Sequence, residues 1–278
     1  MATIILEREE IKLSTQQERM LISGWGQQVY KETTVEAITY QSGKYPVRAY
    51  LAFPSRIPEG TKLPCILWNR GGYRQNGLID TFTARGIFGQ LASWGYVVLA
   101  SMYRGSIPGN GEDDLADGAV EDIISVMAVA DELPFADTSR WAMEGWSRGG
   151  FMALNVLRQK PVFRAVILSG AICDLNLGFE NSAYFAEEIL RKSGDPGIID
   201  KLSPLQNADE LPADTNYLII HGANDRTVPP GHSINLAAAL LARGCNLRLS
   251  ILDGGDHFLR AQRKETERLR YAWLKKYM

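Results

Sequence analysis

The chain has 278 residues, 45% of them hydrophobic, and carries 30 Lys and Arg against 32 Asp and Glu, a formal net charge of -2. That length and apolar content suffice for one large buried core, and the even charge balance argues against nucleic acid as a partner. Three scattered cysteines, Cys65, Cys173 and Cys245, make neither a disulfide frame nor a metal-like cluster, and they read as reduced thiols of a cytoplasmic protein.

Residues 1–10 have only a brief apolar run before charge sets in, without the basic flank and long apolar stretch of a secretory signal. No apolar run reaches membrane-spanning length, so no membrane partner is expected. Residues 7–30 are charged and Gln-rich, with spaced apolar positions at Ile11, Leu13, Met20, Leu21, Ile22 and Trp25, which predicts one or two surface helices. Two β-type runs, 33–40 and 45–53, flank Gln41-Ser42-Gly43-Lys44 and read as a hairpin. A loop with three prolines follows over 54–64.

From there the pattern alternates. Apolar strand candidates at 65–68, 96–100, 141–144, 164–168, 217–221 and 247–252 are interleaved with helical patterns at 82–94, 117–133, 151–159 and 234–242, and an amphipathic run at 260–276 ends the chain. Near-continuous apolar strands separated by helices predict an α/β fold. The expectation is one domain over 1–278: a mostly parallel eight-stranded sheet, an antiparallel N-terminal hairpin, and helices on both faces. Residues 171–215 break the alternation with Phe179, Tyr184 and Phe185 beside the charged helical run 187–192. The segment leaves the carboxyl end of a strand, where such sheets bind ligands, and reads either as a small cap or as a surface excursion.

Gly145-Trp146-Ser147-Arg148-Gly149-Gly150 lies between a strand and a helix pattern. Strand, Gly-x-Ser-x-Gly, helix is the context of a nucleophile elbow: a turn so tight that only small residues fit around a serine lifted clear of the sheet. The helix that begins there aims N–H groups and a positive dipole end at a reacting carbonyl. A solvated serine in an ordinary Gly-rich turn is the plainer alternative.

A serine needs a base to act as a nucleophile near neutral pH. The chain has three histidines, His221, His232 and His257. In an α/β hydrolase the order along the chain is nucleophile, acid, base. Asp225 and His257, in the loops after the seventh and eighth predicted strands, satisfy it. His221 precedes Asp225 and reads as a hydrogen-bonded residue ordering its loop; His232, at a helix start, reads as a surface residue. Asp256 adjoins His257 too closely to face its ring well, which makes Asp225 the better orienting carboxylate. The oxyanion hole is expected from the N–H of Arg148 and from the loop Asn69-Arg70-Gly71-Gly72-Tyr73, where Gly71 and Gly72 allow a close approach.

These stretches give the chain a resemblance to the catalytic domain of the prolyl oligopeptidase family of serine peptidases, within the α/β-hydrolase fold. It is carried by Trp68-Asn69-Arg70-Gly71-Gly72, Tyr103-Arg104-Gly105-Ser106, residues 137–150, residues 221–229 and Gly255-Asp256-His257, in family order. The resemblance implies a Ser147–Asp225–His257 triad and hydrolysis of peptide or ester bonds through an acyl-enzyme, with neither metal nor cofactor. Two departures stand out. About 60 residues precede the first core strand, too few for the β-propeller that family peptidases usually carry. Arg70 also stands where members often have tyrosine or histidine, so the Gly72 N–H is expected as the second oxyanion donor, with the Arg70 guanidinium as the alternative. Arg70, Tyr73, Phe179, Tyr184 and Phe185 are the expected substrate contacts, and the expected substrate is a small ester or short peptide. The competing expectation from another class is a catalytically silent hydrolase scaffold used for binding. A dehydrogenase would need Gly-x-Gly-x-x-Gly after the first parallel strand, which Asn69-Arg70-Gly71-Gly72 does not supply.

Overall fold

The computed structural model describes residues 4–113 and 117–278; residues 1–3, part of the N-terminal segment read above, lie outside the described residues. The chain divides into two compact units. One comprises Met1–Trp68, Arg74–Asp113 and Glu121–Trp141, the other Asn69–Tyr73, Asp114–Val120 and Ala142–Met278.

The first unit opens with β1 (Ile5–Glu10), α1 (Thr15–Trp25) and α2 (Gln27–Lys31). The hairpin follows as β2 (Thr33–Ser42) and β3 (Tyr45–Pro54), paired antiparallel from Thr33 opposite Pro54 to Ser42 opposite Tyr45. Then come β4 (Leu63–Asn69), α3 (Thr81–Ser93) and β5 (Val97–Ser101). Strand β5 runs antiparallel to β3 and parallel to β4, with Cys65 opposite Val97. The α1 start is set by a capping box in which Ser14 and Gln17 satisfy each other's backbone N–H.

The sheet has one strand more than the eight expected. Residues 7–10, at the start of the stretch whose pattern predicts one or two surface helices, belong instead to β1, which pairs antiparallel with β2 from Ile5 opposite Tyr40 to Glu10 opposite Glu36. All but Ile5 of β1 are exposed, so no hydrophobic alternation marks it in the sequence. An edge strand needs only one hydrogen-bonded side, and its charges, including the Arg8–Glu36 ion pair, discourage further pairing. The helix expected over 117–133 is α4 (Asp117–Val126) followed by a 3-10 turn, Met127–Glu132.

Within this unit Asp122 has a fully buried side chain and is held from several directions. Arg104 Nε and Nη2 donate to it at 3.1 and 2.8 Å, the Arg104 N–H at 2.6 Å and Ser42 Oγ at 2.7 Å. The Tyr103-Arg104 stretch thus ties the end of the hairpin to the residues after β5 and to α4.

Strand β6 (Ala136–Trp146) leads into the second unit, and near its start Asp137 accepts the Ser139 N–H and hydroxyl. There follow α5 (Arg148–Gln159), β7 (Phe163–Ser169), α6 (Ser182–Ser193), α7 (Ile198–Leu202), β8 (Asn216–Gly222), α8 (Gly231–Ala242), β9 (Leu247–Leu252) and α9 (Arg263–Tyr277). Strands β7, β8 and β9 are parallel. Residues 165–168 and 217–220 are buried without alternation, as strands covered on both faces must be. The strand order in the sheet is β1-β2-β3-β5-β4-β6-β7-β8-β9. In the second unit the carboxyl ends of β6, β8 and β9 deliver Ser147, Asp225 and His257 respectively.

Candidate active site

Ser147 sits between β6 and α5 at φ 58°, ψ -123°, a conformation that L residues rarely hold. Close packing dictates the glycines around it. A Cβ on Gly145 would lie 2.3 Å from the Gly149 carbonyl oxygen, and one on Gly149 would lie 2.1 Å from that of Asn69. The strained turn is fixed by Ser147 N–H donating to Ser169 O at 2.9 Å and by the Gly150 N–H returning to Ser147 O at 3.0 Å.

The three sequence-predicted triad residues converge. His257 Nε2 is 3.0 Å from Ser147 Oγ, and His257 Nδ1 is 2.7 Å from Asp225 Oδ2. All three are buried. Asp225 Oδ1 in turn accepts the N–H groups of Thr227 and Val228, each at 2.9 Å. Burial works to raise the Asp225 pKa, but hydrogen bonds from His221, His257 and the Val228 N–H prevail and hold the carboxyl well below its usual range. The group stays ionised and keeps the Nδ1 proton of His257 in place, which leaves Nε2 to accept from serine.

Two glycines, whose steric role has no local sign in the sequence, let the acid and base loops meet. A Cβ on Gly222 would be 2.3 Å from Gly255 O, and one on Gly255 would be 2.9 Å from Gly222 Cα. Through that gap Asn224 N–H donates to Gly255 O at 2.8 Å and Ala223 N–H to Leu252 O at 2.9 Å. Trp146 adds a brace: its Nε1 donates to His257 O at 3.1 Å while its ring packs on the imidazole, centroids 5.2 Å apart. Asp256 is exposed and accepts the Phe258 N–H at 3.1 Å, away from the relay.

His232 is not a surface residue. It is 1% exposed on α8, where its Nδ1 accepts the Cys173 N–H at 3.2 Å, and burial pushes its pKa down. The helix patterning around it, apolar on nearly all sides, carries no sign of which face is inward. His221 is fully buried, with Nδ1 2.6 Å from Ser233 Oγ and Nε2 2.8 Å from Val228 O, as a loop-ordering residue should be.

The expected oxyanion loop lies against the elbow. A Cβ on Gly71 would come within 3.2 Å of Ser147 Cβ and 3.1 Å of Trp146 O. Arg70 Nη1 donates to Gly71 O at 3.3 Å and Arg148 Nη1 to Gly72 O at 3.0 Å, both guanidinium groups being buried. Of the expected substrate contacts, Tyr73 packs on Tyr184 and Phe185 with centroids 6.0 and 5.8 Å apart, and Phe179 on Phe185 at 5.6 Å. Segment 171–215 therefore meets the oxyanion loop through these rings and the acid loop through Glu180 N–H to Thr227 O at 2.7 Å. Among the described residues no group of three or more His, Cys, Asp or Glu side chains could hold a metal ion, and no helix is long and apolar enough to cross a membrane.

An α/β sheet presenting serine, aspartate and histidine in this chain order and geometry defines the chain as a serine hydrolase. Residues 84–278 match the model of the prolyl oligopeptidase family. The chain belongs to that family. Its relatives include the uncharacterized peptidase YtmA of Bacillus subtilis, 28% identical over 73% of this chain and 78% of that protein. The acylamino-acid-releasing enzyme of Sus scrofa is 28% identical over 76% of this chain but 31% of its own length. Among solved structures, the acylaminoacyl peptidase of Pyrococcus horikoshii superposes with a TM-score of 0.73 at 23% identity, covering 89% of this chain and 41% of that one. A puromycin-hydrolyzing peptidase of Mycobacterium tuberculosis gives 0.69 at 24% identity over 87% and 39%. The chain thus spans well under half of the porcine enzyme and of both solved chains. Nothing in these comparisons supports the silent-scaffold alternative.

Proposed function

We propose that the chain hydrolyses small esters and short peptides through an acyl-enzyme on Ser147. The observation that carries the reading is the unbroken relay from Ser147 Oγ to His257 Nε2 at 3.0 Å and from His257 Nδ1 to Asp225 Oδ2 at 2.7 Å. His257 takes the Ser147 proton as Oγ attacks the substrate carbonyl. The same proton passes to the leaving alcohol or amine as the acyl-enzyme forms, and water then repeats the sequence to release the acid. Asp225 fixes the imidazole tautomer and stabilises the imidazolium that forms in between.

The developing oxyanion is met by the N–H groups of Arg148 and Gly72. In a trans peptide the N–H points opposite to the carbonyl oxygen, so Arg70, by holding Gly71 O, also holds the Gly72 N–H in direction. Arg70 on this reading is a positioning residue, not itself the donor. Tyr73, Phe179, Tyr184 and Phe185 form an apolar wall for the acyl or alcohol group, with 171–215 as a cap and 1–278 as one α/β-hydrolase domain. The three free, buried cysteines favour a cytoplasmic setting.

The test is a serine-directed fluorophosphonate. It modifies Ser147 stoichiometrically, and Ser147→Ala abolishes both labelling and turnover while the far-UV spectrum is kept. Labelling of Ser147→Ala at another residue overturns the assignment.

A further inference from the structure

Asp225 is gripped by two histidines, and only one of them belongs to the relay. His221, near the end of β8, is fully buried, and its Nε2 lies 3.2 Å from Asp225 Oδ2, the oxygen that also accepts from His257. The ring's protonation follows from its partners. Val228 O, 2.8 Å from Nε2, is a carbonyl and can only accept, so Nε2 bears the hydrogen. Nδ1 lies 2.6 Å from Ser233 Oγ, whose hydroxyl can donate to it. Nε2, which carries the hydrogen bonded to Val228 O, also lies 3.2 Å from Asp225 Oδ2.

We infer that His221 is a positioning residue: it fixes the Asp225 carboxylate and draws off part of the charge that Oδ2 offers to His257, with Ser233 locking its tautomer. The inference rests on the Ser147–His257–Asp225 reading above. It differs from plain loop ordering in that a donor on Oδ2 weakens the hold of Asp225 on the imidazolium. Asp225 is then bonded by Thr227 and Val228 on Oδ1 and by His257 on Oδ2, with His221 Nε2 3.2 Å from Oδ2 as a fourth N–H group against the carboxylate. The other ionisable groups of this neighbourhood are His232 on α8 and Asp174 after β7, both buried, with Arg226 and Asp256 exposed on the acid and base loops. None of these makes a hydrogen bond to Oδ2 among the contacts described.

The sign of the effect follows. Without the His221 hydrogen, Oδ2 holds the imidazolium more tightly, and the unprotonated base needed for attack appears only at higher pH. His221→Asn keeps an acceptor near Ser233 but is too short to reach Asp225, whereas His221→Gln places an N–H near the original Nε2. The expected result is an acid limb of kcat/KM displaced upward by about half a pH unit in His221→Asn, with kcat down about tenfold and KM little changed. His221→Gln restores the limb and much of the turnover, and Ser233→Ala falls between.

A purely structural His221 would give Asn and Gln variants with the same acid limb as the parent protein, and that result overturns the proposal. If neither variant folds, NMR of histidine-labelled parent protein and Asp225→Asn decides. A His221 Nε2 proton whose chemical shift moves in Asp225→Asn supports the proposal, and one that does not move, or a ring protonated only at Nδ1, rejects it. Turnover that survives Ser147→Ala would instead reject the triad reading, so the two failures are distinguishable.

Discussion

Arg148, the residue immediately after Ser147, reaches from Nη1 to the carbonyl oxygen of Gly72 at 3.0 Å. A single side chain therefore joins the nucleophile's helix to the facing loop, and it does so beneath the Tyr73 ring, 5.7 Å from its centroid. Because α5 begins at Arg148, the N–H proposed as one oxyanion donor and the side chain that holds Gly72 O belong to the same residue.

Replacing Arg148 by Met keeps most of the buried stem and removes the donor. Since deleting an oxyanion-hole donor outright costs about a hundredfold or more, loosening one is expected to lower kcat about tenfold with KM nearly unchanged. Steady-state kinetics on a nitrophenyl ester check it. A rise in KM at constant kcat would mean that Arg148 binds ground-state substrate instead.

His232 and His257 separate stability from catalysis. His232→Ala leaves the buried Cys173 N–H without its acceptor, a loss of about 1–3 kcal/mol measurable by urea unfolding, with a smaller effect on turnover. His257→Ala is expected to lower kcat by several orders of magnitude. Equal losses of turnover in the two variants would mean that the base is misassigned.

The elbow, the Asp225 and His257 loops and the parallel core were legible because each has a local signature: small residues forced by a tight turn, a fixed chain order, or an unbroken apolar run. What escaped was decided by partners distant in sequence. Strand β1 exists because β2 offers it a free edge, not because Leu6 to Glu10 alternate. His232 is buried because segment 171–215 folds over α8, with Phe179 edge-on to its ring at 6.0 Å. Gly222 and Gly255 lie 33 positions apart, and only the paired strands β8 and β9 reveal that each makes room for the other.

The pH dependence has a definite sign. The Asp225 pKa is depressed in the folded chain, so the group contributes stability above the unfolded carboxyl value of about 4 and loses it as pH falls further. It does not titrate in the ordinary assay range. The acid limb of kcat/KM should therefore vanish with His257 and not track unfolding. Urea midpoints from pH 2 to 7 should rise less steeply for Asp225→Asn than for the parent protein, and an unchanged slope would show that the carboxylate is not stabilised by its donors.

Arg104 tests the first unit by itself. Its side chain satisfies a fully buried carboxylate, and Arg104→Ala strands Asp122 with Ser42 Oγ and one backbone N–H. Breaking such a pair from one side costs about 3–5 kcal/mol, expected here as a fall in the urea midpoint. Arg104→Lys should recover only part, because an ammonium cannot span both carboxylate oxygens as the guanidinium does.

Esters should be cleaved faster than matched amides. Both share the attack by Ser147 Oγ, and the difference lies in expulsion of the leaving group. An alkoxide departs with modest help, whereas an amine must receive the His257 proton while its nitrogen is held close to Nε2. What the proposed wall offers for that holding is apolar: Tyr73 packed on Tyr184 and Phe185, and Phe179 on Phe185. Rings of this kind secure an acyl or alcohol group by burial, with little direction for a peptide N–H. Phe185→Ala removes the ring common to both contacts, and with it about 2 kcal/mol of burial, so KM for an aromatic acyl ester is expected to rise at least tenfold while kcat changes less. The measurement is kcat/KM for an aromatic acyl ester, its matched amide and an acetyl ester, in the parent protein and in Phe185→Ala. The loss should be largest for the aromatic ester and slight for the acetyl one. Faster cleavage of the amide than of the matched ester would reverse the preference and assign the chain to peptide bonds first.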